Sequence, residues 1–285
     1  MPPVSIVVVT DSTAYLPAGL AAEHAVVVVP MHVIIGQTSG REGIEVSPGD
    51  VAAALGERRV KVSTSRPTPA ELVAAYRACS VGRSSPQIVS VHLSGDLSGT
   101  VEAAQLAAAE VAADGIEVRV VDSRSVVMGL GFAVLRAAEA AARGADLDEV
   151  VAAAQAGGAT TLFYVDTLEH LRRGGRIGAA AALVGTALMV KPLLHVLDGR
   201  IAPLEKVRTA SRAIARLEEL AVTAAGTSDV DVAVHHLAAG DKAAALAERL
   251  RARLPALRSL QVSEVGAVVG AHVGPGLLGV VVSRR

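Results

Sequence analysis

The sequence predicts an α/β fold in which a parallel sheet is covered by helices on both faces. Short runs of valine and isoleucine alternate along the chain with longer alanine-rich stretches. Runs that are apolar at nearly every position are typical of parallel strands, because such strands are buried on both faces. The alternation of strands and helices indicates right-handed crossovers in a doubly wound sheet.

The apolar runs predict the strands, and the alanine-rich or charged stretches between them predict the helices. The predicted strands are residues 5–9, 26–29, 88–91, 117–121, 162–165, 230–234, 262–265 and 280–282. The predicted helices are residues 69–79, 99–113, 126–142, 147–157, 168–173, 178–188 and 210–220. Asp198-Gly199 lies between two apolar runs and predicts a β-hairpin, since this dipeptide favours a two-residue turn. The glycine-rich stretch 266–279 is predicted to be a loop.

A change of composition near Asp166 predicts two lobes. The 285 residues are enough for one large or two medium domains. We place a parallel-sheet N-terminal lobe at residues 1–165 and a smaller α/β C-terminal lobe at residues 166–285.

Composition narrows the class of protein. Hydrophobic residues make up 51% of the chain and mean hydropathy is +0.46, which fits either a membrane protein or a fold with fully buried strands. A membrane-spanning helix needs about 20 apolar residues without charge. The longest candidate, residues 179–190, is shorter and ends at Lys191-Pro192. Residues 1–30 lack a basic start and a cleavage pattern, so we expect no signal peptide and a cytoplasmic protein.

Charge and residue types argue against nucleic acid and metal as partners. The net charge is −1 and aromatic residues are 2%, so neither a basic surface nor a base-stacking platform is expected. The single Cys79 allows no internal disulfide and no cysteine zinc site. His235 and His236 point to opposite faces if they lie on a strand, which disfavours shared metal ligation.

Polar residues collect after three of the predicted strands and after the apolar residue Val62. The clusters are residues 10–13, 63–67, 92–100 and 122–125. Ligands of open parallel sheets bind beyond the carboxyl ends of the strands, and hydroxyls at helix starts bind anions. We therefore expect the four clusters to share one sheet edge and to converge on one acidic group. Each cluster alone also fits ordinary helix capping.

Known phosphate-binding and hydrolase patterns are missing from the sequence. There is no P-loop, no dinucleotide fingerprint after a strand and no G-x-S-x-G around Ser94 or Ser98. In the second lobe, Arg176 follows a glycine pair and His272 lies in a glycine-rich stretch. For each of these two residues, contact with a buried anion and an ordinary structural role both remain open.

Eight short motifs occur in order along nearly the whole chain. They occupy residues 10–17, 64–67, 97–100, 174–177, 191–194, 198–201, 205–209 and 272–276. No single motif is specific, but the ordered set is. Taken together, the motifs resemble the DegV family over about residues 4–283.

The resemblance implies a two-lobed α/β fold that binds one long-chain fatty acid between the lobes. It also implies the role of binding subunit in a bacterial fatty acid kinase, where a separate ATP-dependent subunit phosphorylates the carboxylate. The acyl phosphate then feeds phospholipid synthesis, and the binding subunit itself needs no cofactor and performs no chemistry. By position, Thr64, Ser94 and the Gly95 N–H would hold the carboxylate, with His272 and Arg176 close to it.

Burial energy agrees with a lipid ligand. A C16 chain has about fifteen CH₂ and CH₃ groups, and each contributes roughly 0.8 kcal/mol on burial. Affinity is therefore expected from an apolar cavity lined by small residues, while the hydroxyls orient the head group and avoid an unpaired buried carboxylate.

Two other functions remain open from the sequence. One is an acyl or phosphate ester hydrolase that uses Ser94 or Ser98 with His272. The other is a pure interaction protein. Whether the chain is an interaction protein or a lipid carrier, exposed cations are docking candidates for a kinase subunit or, transiently, an anionic membrane, although ordinary solubilising charge is the commoner explanation of each. These cations are Arg172, Arg173, Lys206 and Arg208.

Overall fold

The chain forms two compact units in a computed structural model that describes residues 6–17, 19–57, 60–183 and 191–285. The first unit comprises Met1–His32 and Ser65–Ala156, and the second comprises Val33–Thr64 and Gly157–Arg285. The sequence places one boundary near residue 165 and assigns 33–64 to the N-terminal lobe. The contacts of the fold instead group Val33–Thr64 with the C-terminal part of the chain.

Strands and helices alternate along most of the chain. The strands are β1 (Val7–Asp11), β2 (Val27–Val29), β3 (His32–Ile35), β4 (Thr38–Arg41), β5 (Val62–Ser65), β6 (Gln87–His92), β7 (Glu117–Asp122), β8 (Ala159–Tyr164), β9 (Lys191–Leu197), β10 (Arg200–Val207), β11 (Val230–His236), β12 (Leu257–Glu264) and β13 (Leu278–Arg284). The helices are α1 (Leu20–Glu23), α2 (Pro48–Gly56), α3 (Pro69–Ser80), α4 (Thr100–Val111), α5 (Met128–Ala142), α6 (Leu147–Gln155), α7 (Glu169–Arg173), α8 (Ala210–Ala225), α9 (Gly240–Arg253) and α10 (Ala267–Val273).

The first unit is built on a four-stranded parallel sheet of order β2-β1-β6-β7. Val7 and Val9 of β1 pack with Leu72 and Tyr76 of α3 in one apolar core. Helices α5 and α6 also pack against strands of this sheet. The predicted parallel sheet of the N-terminal part is therefore confirmed.

The second unit contains the larger sheet, of order β10-β9-β8-β13-β11-β12. Only β11 and β12 of its described pairings run parallel, and the others are antiparallel. The apolar run at 162–165 begins in the last three residues of β8, which pairs antiparallel with β13 and β9. Its sequence suggests a parallel strand because burial on both faces produces an apolar run whatever the strand direction. A further sheet has the order β4-β3-β5.

The Asp198-Gly199 hairpin forms as predicted. It joins β9 to β10, and both turn residues have positive φ, +50° at Asp198 and +82° at Gly199. This backbone matches the twist of two antiparallel strands, and glycine adopts it without steric cost.

One predicted loop is in fact a helix. Residues 267–273 of the glycine-rich stretch form α10 between Gly266 and Gly274. Val268, Ala271 and Val273 are buried, so packing overrides the low helix propensity of glycine in this stretch. The predicted helix 178–188 is a 3₁₀ turn at Gly178–Leu183, and its remainder lies outside the described residues.

None of the described helices combines the length with the apolar character that a membrane crossing requires.

Candidate functional site

Three of the four polar clusters meet at one edge of the parallel sheet. They follow β1, β6 and β7, which are neighbours in that sheet. The Leu93 N–H donates to Asp11 Oδ2 at 3.0 Å, and the Ser94 N–H donates to the Ser125 carbonyl at 2.8 Å. The prediction that all four clusters share this edge was wrong. The cluster at 63–67 begins inside β5, whose neighbour is β3 in a different sheet.

Ser94 is buried at the start of the loop that follows β6. The residue has no exposed surface, and its Oγ accepts the Asp96 N–H at 3.2 Å. Its carbonyl accepts the N–H groups of Leu97 and Ser98, which turns the chain toward α4. The loop therefore holds this hydroxyl in one place.

The Gly95 N–H has a partner within the protein. It donates to Asp122 Oδ2 at 3.2 Å, and a Cβ at position 95 would lie 3.0 Å from the same oxygen. The sequence predicted that this N–H binds a ligand carboxylate. In the structure a carboxylate of the protein occupies that place.

Two further hydroxyls are buried in the strand-end clusters of this unit. Thr10 Oγ1 and Ser125 Oγ make no hydrogen bond within the part of the chain that the structure describes. Buried polar atoms of this kind are uncommon in folded proteins, so they mark this edge as a place with spare hydrogen-bonding capacity.

In the second unit, Thr64 and His272 form a hydrogen-bonded pair. Thr64 lies on β5 and His272 near the end of α10, and Thr64 Oγ1 is 2.8 Å from His272 Nε2. Gly174 leaves room for the imidazole, because a Cβ there would lie 2.1 Å from His272 Nδ1. Packing against the His272 ring therefore explains why position 174 is a glycine.

His272 is neutral at physiological pH. Burial lowers the pKa of its imidazole to about 4, and the nearby charge of Arg176 acts in the same direction. Its Nδ1 is buried and has no hydrogen-bond partner among the described residues. An orphaned N–H is rarer in proteins than an orphaned acceptor, so we assign the hydrogen to Nε2. His272 then donates to Thr64, and the Thr64 hydrogen can be donated elsewhere.

Arg176 lies beside this pair. Its Nη1 donates to the carbonyl of Gly174 at 2.7 Å, and Gly174 contacts the His272 ring. Thr64, His272 and Arg176 are therefore brought together within the second unit, whereas Ser94 and Gly95 belong to the first.

A charged cluster near the end of β8 was missed by the sequence reasoning. The Tyr164 hydroxyl donates to Asp166, and Lys191 Nζ donates to Asp166 Oδ1 at 3.2 Å. Burial raises the pKa of Asp166, but the hydrogen bonds from Tyr164 and Lys191 outweigh it and keep the pKa below the usual value. Gly276 lies against this carboxylate, since a Cβ there would come within 2.2 Å of Oδ2. The glycines of the 272–276 motif were the available signal.

The contacts give little support to a serine hydrolase. His272 Nε2 is bonded to a threonine, and Ser98 Oγ bonds Thr100 Oγ1 at 2.9 Å. Across the described residues, no group of three or more His, Cys, Asp or Glu side chains is arranged to hold a metal ion.

Comparison with known proteins gives one consistent family. The protein-family model described as "Uncharacterised protein, DegV family" matches residues 5–285. A DegV domain-containing protein of Streptomyces coelicolor is 56% identical over 282 residues, covering 98% of this chain and 99% of that protein. Protein DegV of Bacillus subtilis is 37% identical over 285 residues, covering 97% and 98%.

Solved structures agree with the sequence comparison. A structure described as "Fatty Acid Binding of a DegV family Protein from Thermus thermophilus" matches with a TM-score of 0.91 and 33% identity, covering 99% of this chain and 100% of that chain. The crystal structure of "DegV, a fatty acid binding protein from Bacillus subtilis" matches with a TM-score of 0.88 and 34% identity, with the same coverage.

Proposed function

The chain belongs to the DegV family, and we propose on this basis that it binds a long-chain fatty acid and presents the carboxylate to a separate kinase subunit. The structures that it resembles at 33% and 34% identity are described as fatty acid binding. The observation that carries the proposal is the Thr64 hydroxyl bonded to a neutral imidazole.

A neutral donor pair suits a carboxylate that must later react. With the hydrogen on His272 Nε2, the Thr64 hydroxyl accepts from the imidazole and donates its own hydrogen to the ligand. Hydrogen bonds in such a chain polarise one another, so the imidazole strengthens the hydroxyl as a donor. The carboxylate keeps its charge, and neither donor forms the bidentate ion pair that would make it a weaker nucleophile.

The charge for the head group comes from Arg176. Its guanidinium is close enough to lower the pKa of His272, so it also favours an anion at the same position. We propose that Ser94 supplies the second hydroxyl. For Gly95, whose N–H donates to Asp122, we propose a ligand contact only where Asp122 releases it. The position of the acyl chain stays a prediction of the sequence.

The kinase step is proposed to occur on a partner. One oxygen of the bound carboxylate attacks the γ-phosphorus of ATP held by the kinase subunit, the bond to the β-γ bridging oxygen breaks, and acyl phosphate and ADP result. This role places the protein in the cytoplasm and makes a transient membrane contact part of the cycle. It assigns no catalytic residue and no cofactor to this chain.

Native mass spectrometry of the purified chain tests the binding function. We expect a co-purifying acid of about C14–C18, the range that the family resemblance implies and that the burial energy of the chain favours. After delipidation, hexadecanoic acid should bind again and methyl hexadecanoate should bind more weakly. A delipidated chain that takes up no fatty acid rules out the proposal.

A matched pair of variants tests the head-group donor. Thr64→Val removes the hydroxyl at nearly constant volume and should weaken acid binding about tenfold or more, because a hydrogen bond to a charged group contributes about 1.5–3 kcal/mol. Thr64→Ser keeps the hydroxyl and should bind like the unmodified chain. Equal affinities for the two variants would remove Thr64 from the site.

A phosphorylation assay tests the proposed kinase partnership. The acid-loaded chain, mixed with ATP and a bacterial fatty acid kinase subunit, should yield acyl phosphate that hydroxylamine traps as a hydroxamate. If no acid that binds the chain is phosphorylated, the kinase role is ruled out and only the lipid-carrier function remains.

A further inference from the structure

A continuous chain of hydrogen bonds crosses the core of the first unit. Tyr76 Oη donates to Ser90 Oγ at 2.8 Å, and Ser90 Oγ lies 2.8 Å from His92 Nε2. His92 Nδ1 lies 3.1 Å from Asp11 Oδ2, which also accepts the Leu93 N–H at 3.0 Å. The four side chains of this relay are fully buried, with relative exposures of 0%.

The donors in this relay all point toward Asp11. Burial raises the pKa of Tyr76 to about 12, so its hydroxyl remains a donor. Because Ser90 accepts from Tyr76, its own hydrogen is directed to His92 Nε2. The imidazole then carries its hydrogen on Nδ1 and donates it to Asp11.

The order of serine, histidine and aspartate resembles a hydrolytic triad, but catalysis does not fit the surroundings. Ser90 lies within β6, has no exposed surface and already accepts from a tyrosine. A nucleophile must reach its substrate, and this one is enclosed by the core.

Asp11 is the point at which the relay meets the backbone. Its Oδ1 accepts the Thr13 N–H at 3.0 Å and the Thr13 hydroxyl at 2.5 Å, and its Oδ2 accepts from His92 and from the Leu93 N–H. Four donors satisfy a carboxylate that would otherwise be costly to bury. The next amide along the chain, that of Ser94, is held by the Ser125 carbonyl.

We propose that His92 is a positioning residue for the Ser94 hydroxyl, which it orients through Asp11 and the Leu93 amide without touching the ligand. This inference rests on the proposed function, in which Ser94 binds the fatty acid carboxylate. Two successive amides, at Leu93 and Ser94, are clamped to the sheet edge, and the direction of the Ser94 side chain follows from them. The relay therefore controls how well the protein distinguishes an acid from its ester.

Two amide variants distinguish the contacts made by the two ring nitrogens of His92. His92→Asn places an N–H near the position of Nδ1 and can still donate to Asp11. His92→Gln places its amide near the position of Nε2, so it can bond Ser90 but does not reach Asp11 in the same way. The two variants have similar polarity, and they differ in which contact they keep.

The measurement is the ratio of affinities for hexadecanoic acid and methyl hexadecanoate, made on the full chain. Ser94→Ala should lower this ratio about tenfold, as expected for one hydrogen bond to a charged group. His92→Gln should lower it by a similar factor, and His92→Asn should restore most of it. In the double variant His92→Gln/Ser94→Ala, the ratio should equal that of Ser94→Ala alone, since the two act through the same hydroxyl.

An unchanged ratio in His92→Gln, or losses that multiply in the double variant, overturns the positioning role. If His92→Gln does not fold, Ser90→Ala replaces it, because that change removes one hydroxyl without adding volume. It should lower the ratio about threefold and speed hydrogen exchange of the Leu93 amide. No change in either quantity also overturns the inference. Failure of the unmodified chain to bind the acid at all is a different result, because it removes the proposed function.

Discussion

The two units each hold a histidine beside a hydroxyl, fully buried in the first unit and half-buried in the second, and the two histidines are bonded differently. In the first unit, both ring nitrogens of His92 have partners, Ser90 and Asp11, and the residue has no exposed surface. In the second unit, His272 has one partner, Thr64, and its Nδ1 has none within the described residues.

The difference is the one expected between a scaffold and a binding site. A polar network in which every donor and acceptor is satisfied makes the core rigid and leaves nothing for a ligand. An imidazole bonded on one side leaves the hydroxyl beside it with a hydrogen to donate. Sites that bind ligands are therefore expected where the hydrogen bonding of buried groups is incomplete, as it is at His272.

The largest expected effect comes from breaking the satisfied network. Asp11→Asn puts an NH₂ group against donors of Thr13 or Leu93 whichever way the amide is turned. We expect a loss of about 3–5 kcal/mol in the free energy of unfolding, as for other buried charges that lose a partner. Urea unfolding measures it.

Asp114→Asn is the matched control for that change. This aspartate pairs with Arg77 on the surface, where an ion pair contributes about 0–1 kcal/mol. Equal losses in the two variants would mean that the Asp11 network is not the special scaffold described above.

The second effect is a dependence of stability on pH. Burial lowers the pKa of His272 and of His235 from 6.5 to about 4. Between these values the unfolded chain binds protons that the folded chain does not, so stability is full above pH 6.5 and falls as the pH drops toward 4. Each group contributes about 3 kcal/mol over this window.

Urea unfolding at several pH values from 7 to 4, for the unmodified chain and for His272→Gln, measures this dependence. The variant should show a shallower fall, because one of the two imidazoles with a pKa of about 4 is gone. The same slope in both proteins would contradict the assignment of a neutral His272.

The third effect comes from filling the space beside His272. Gly174→Ala places a methyl group where the contact with Nδ1 would be 2.1 Å, so the ring must move away from Thr64. We expect a destabilisation of about 1–3 kcal/mol together with weaker acid binding. Gly158→Ala is the control, because a Cβ there meets no heavy atom within 4 Å. Normal acid binding by Gly174→Ala would show that the His272 imidazole takes no part in binding the ligand.

The smallest effect comes from the far end of the first network. Tyr76→Phe removes only the hydroxyl that donates to Ser90, and the ring remains in the core. A buried hydrogen bond contributes about 1 kcal/mol, and we expect that loss in urea unfolding. A loss above about 3 kcal/mol would show that the relay acts as one cooperative unit and not as separate bonds.

Local sequence patterns accounted for much of the fold. The Asp198-Gly199 turn was predictable because few dipeptides allow positive φ at two successive positions. The start of α3 was predictable because Thr68 caps it and Pro69 opens it. The glycine-rich helix α10 was missed, since its stability comes from the burial of Val268, Ala271 and Val273 and not from propensity.

The candidate site was only partly predictable. The family resemblance named five residues but not their hydrogen bonds: Thr64, Ser94, Gly95, Arg176 and His272. The Gly95 N–H proved to be bonded to Asp122. Ser90, which interrupts the apolar run of β6, went unread, and His92 was read only as the first residue of the cluster 92–100. Polar residues inside such a strand were a usable signal, because a buried polar group needs a partner.

By itself the sequence determined the strand and helix pattern, the hairpin and the family, since each depends on neighbouring residues or on ordered motifs. Tertiary structure alone decided that Val33–Thr64 joins the second unit and that Thr64 meets His272, 208 residues away. It also decided that Gly174 makes room for that ring. Such contacts depend on how distant surfaces pack, and no local pattern of residues encodes them.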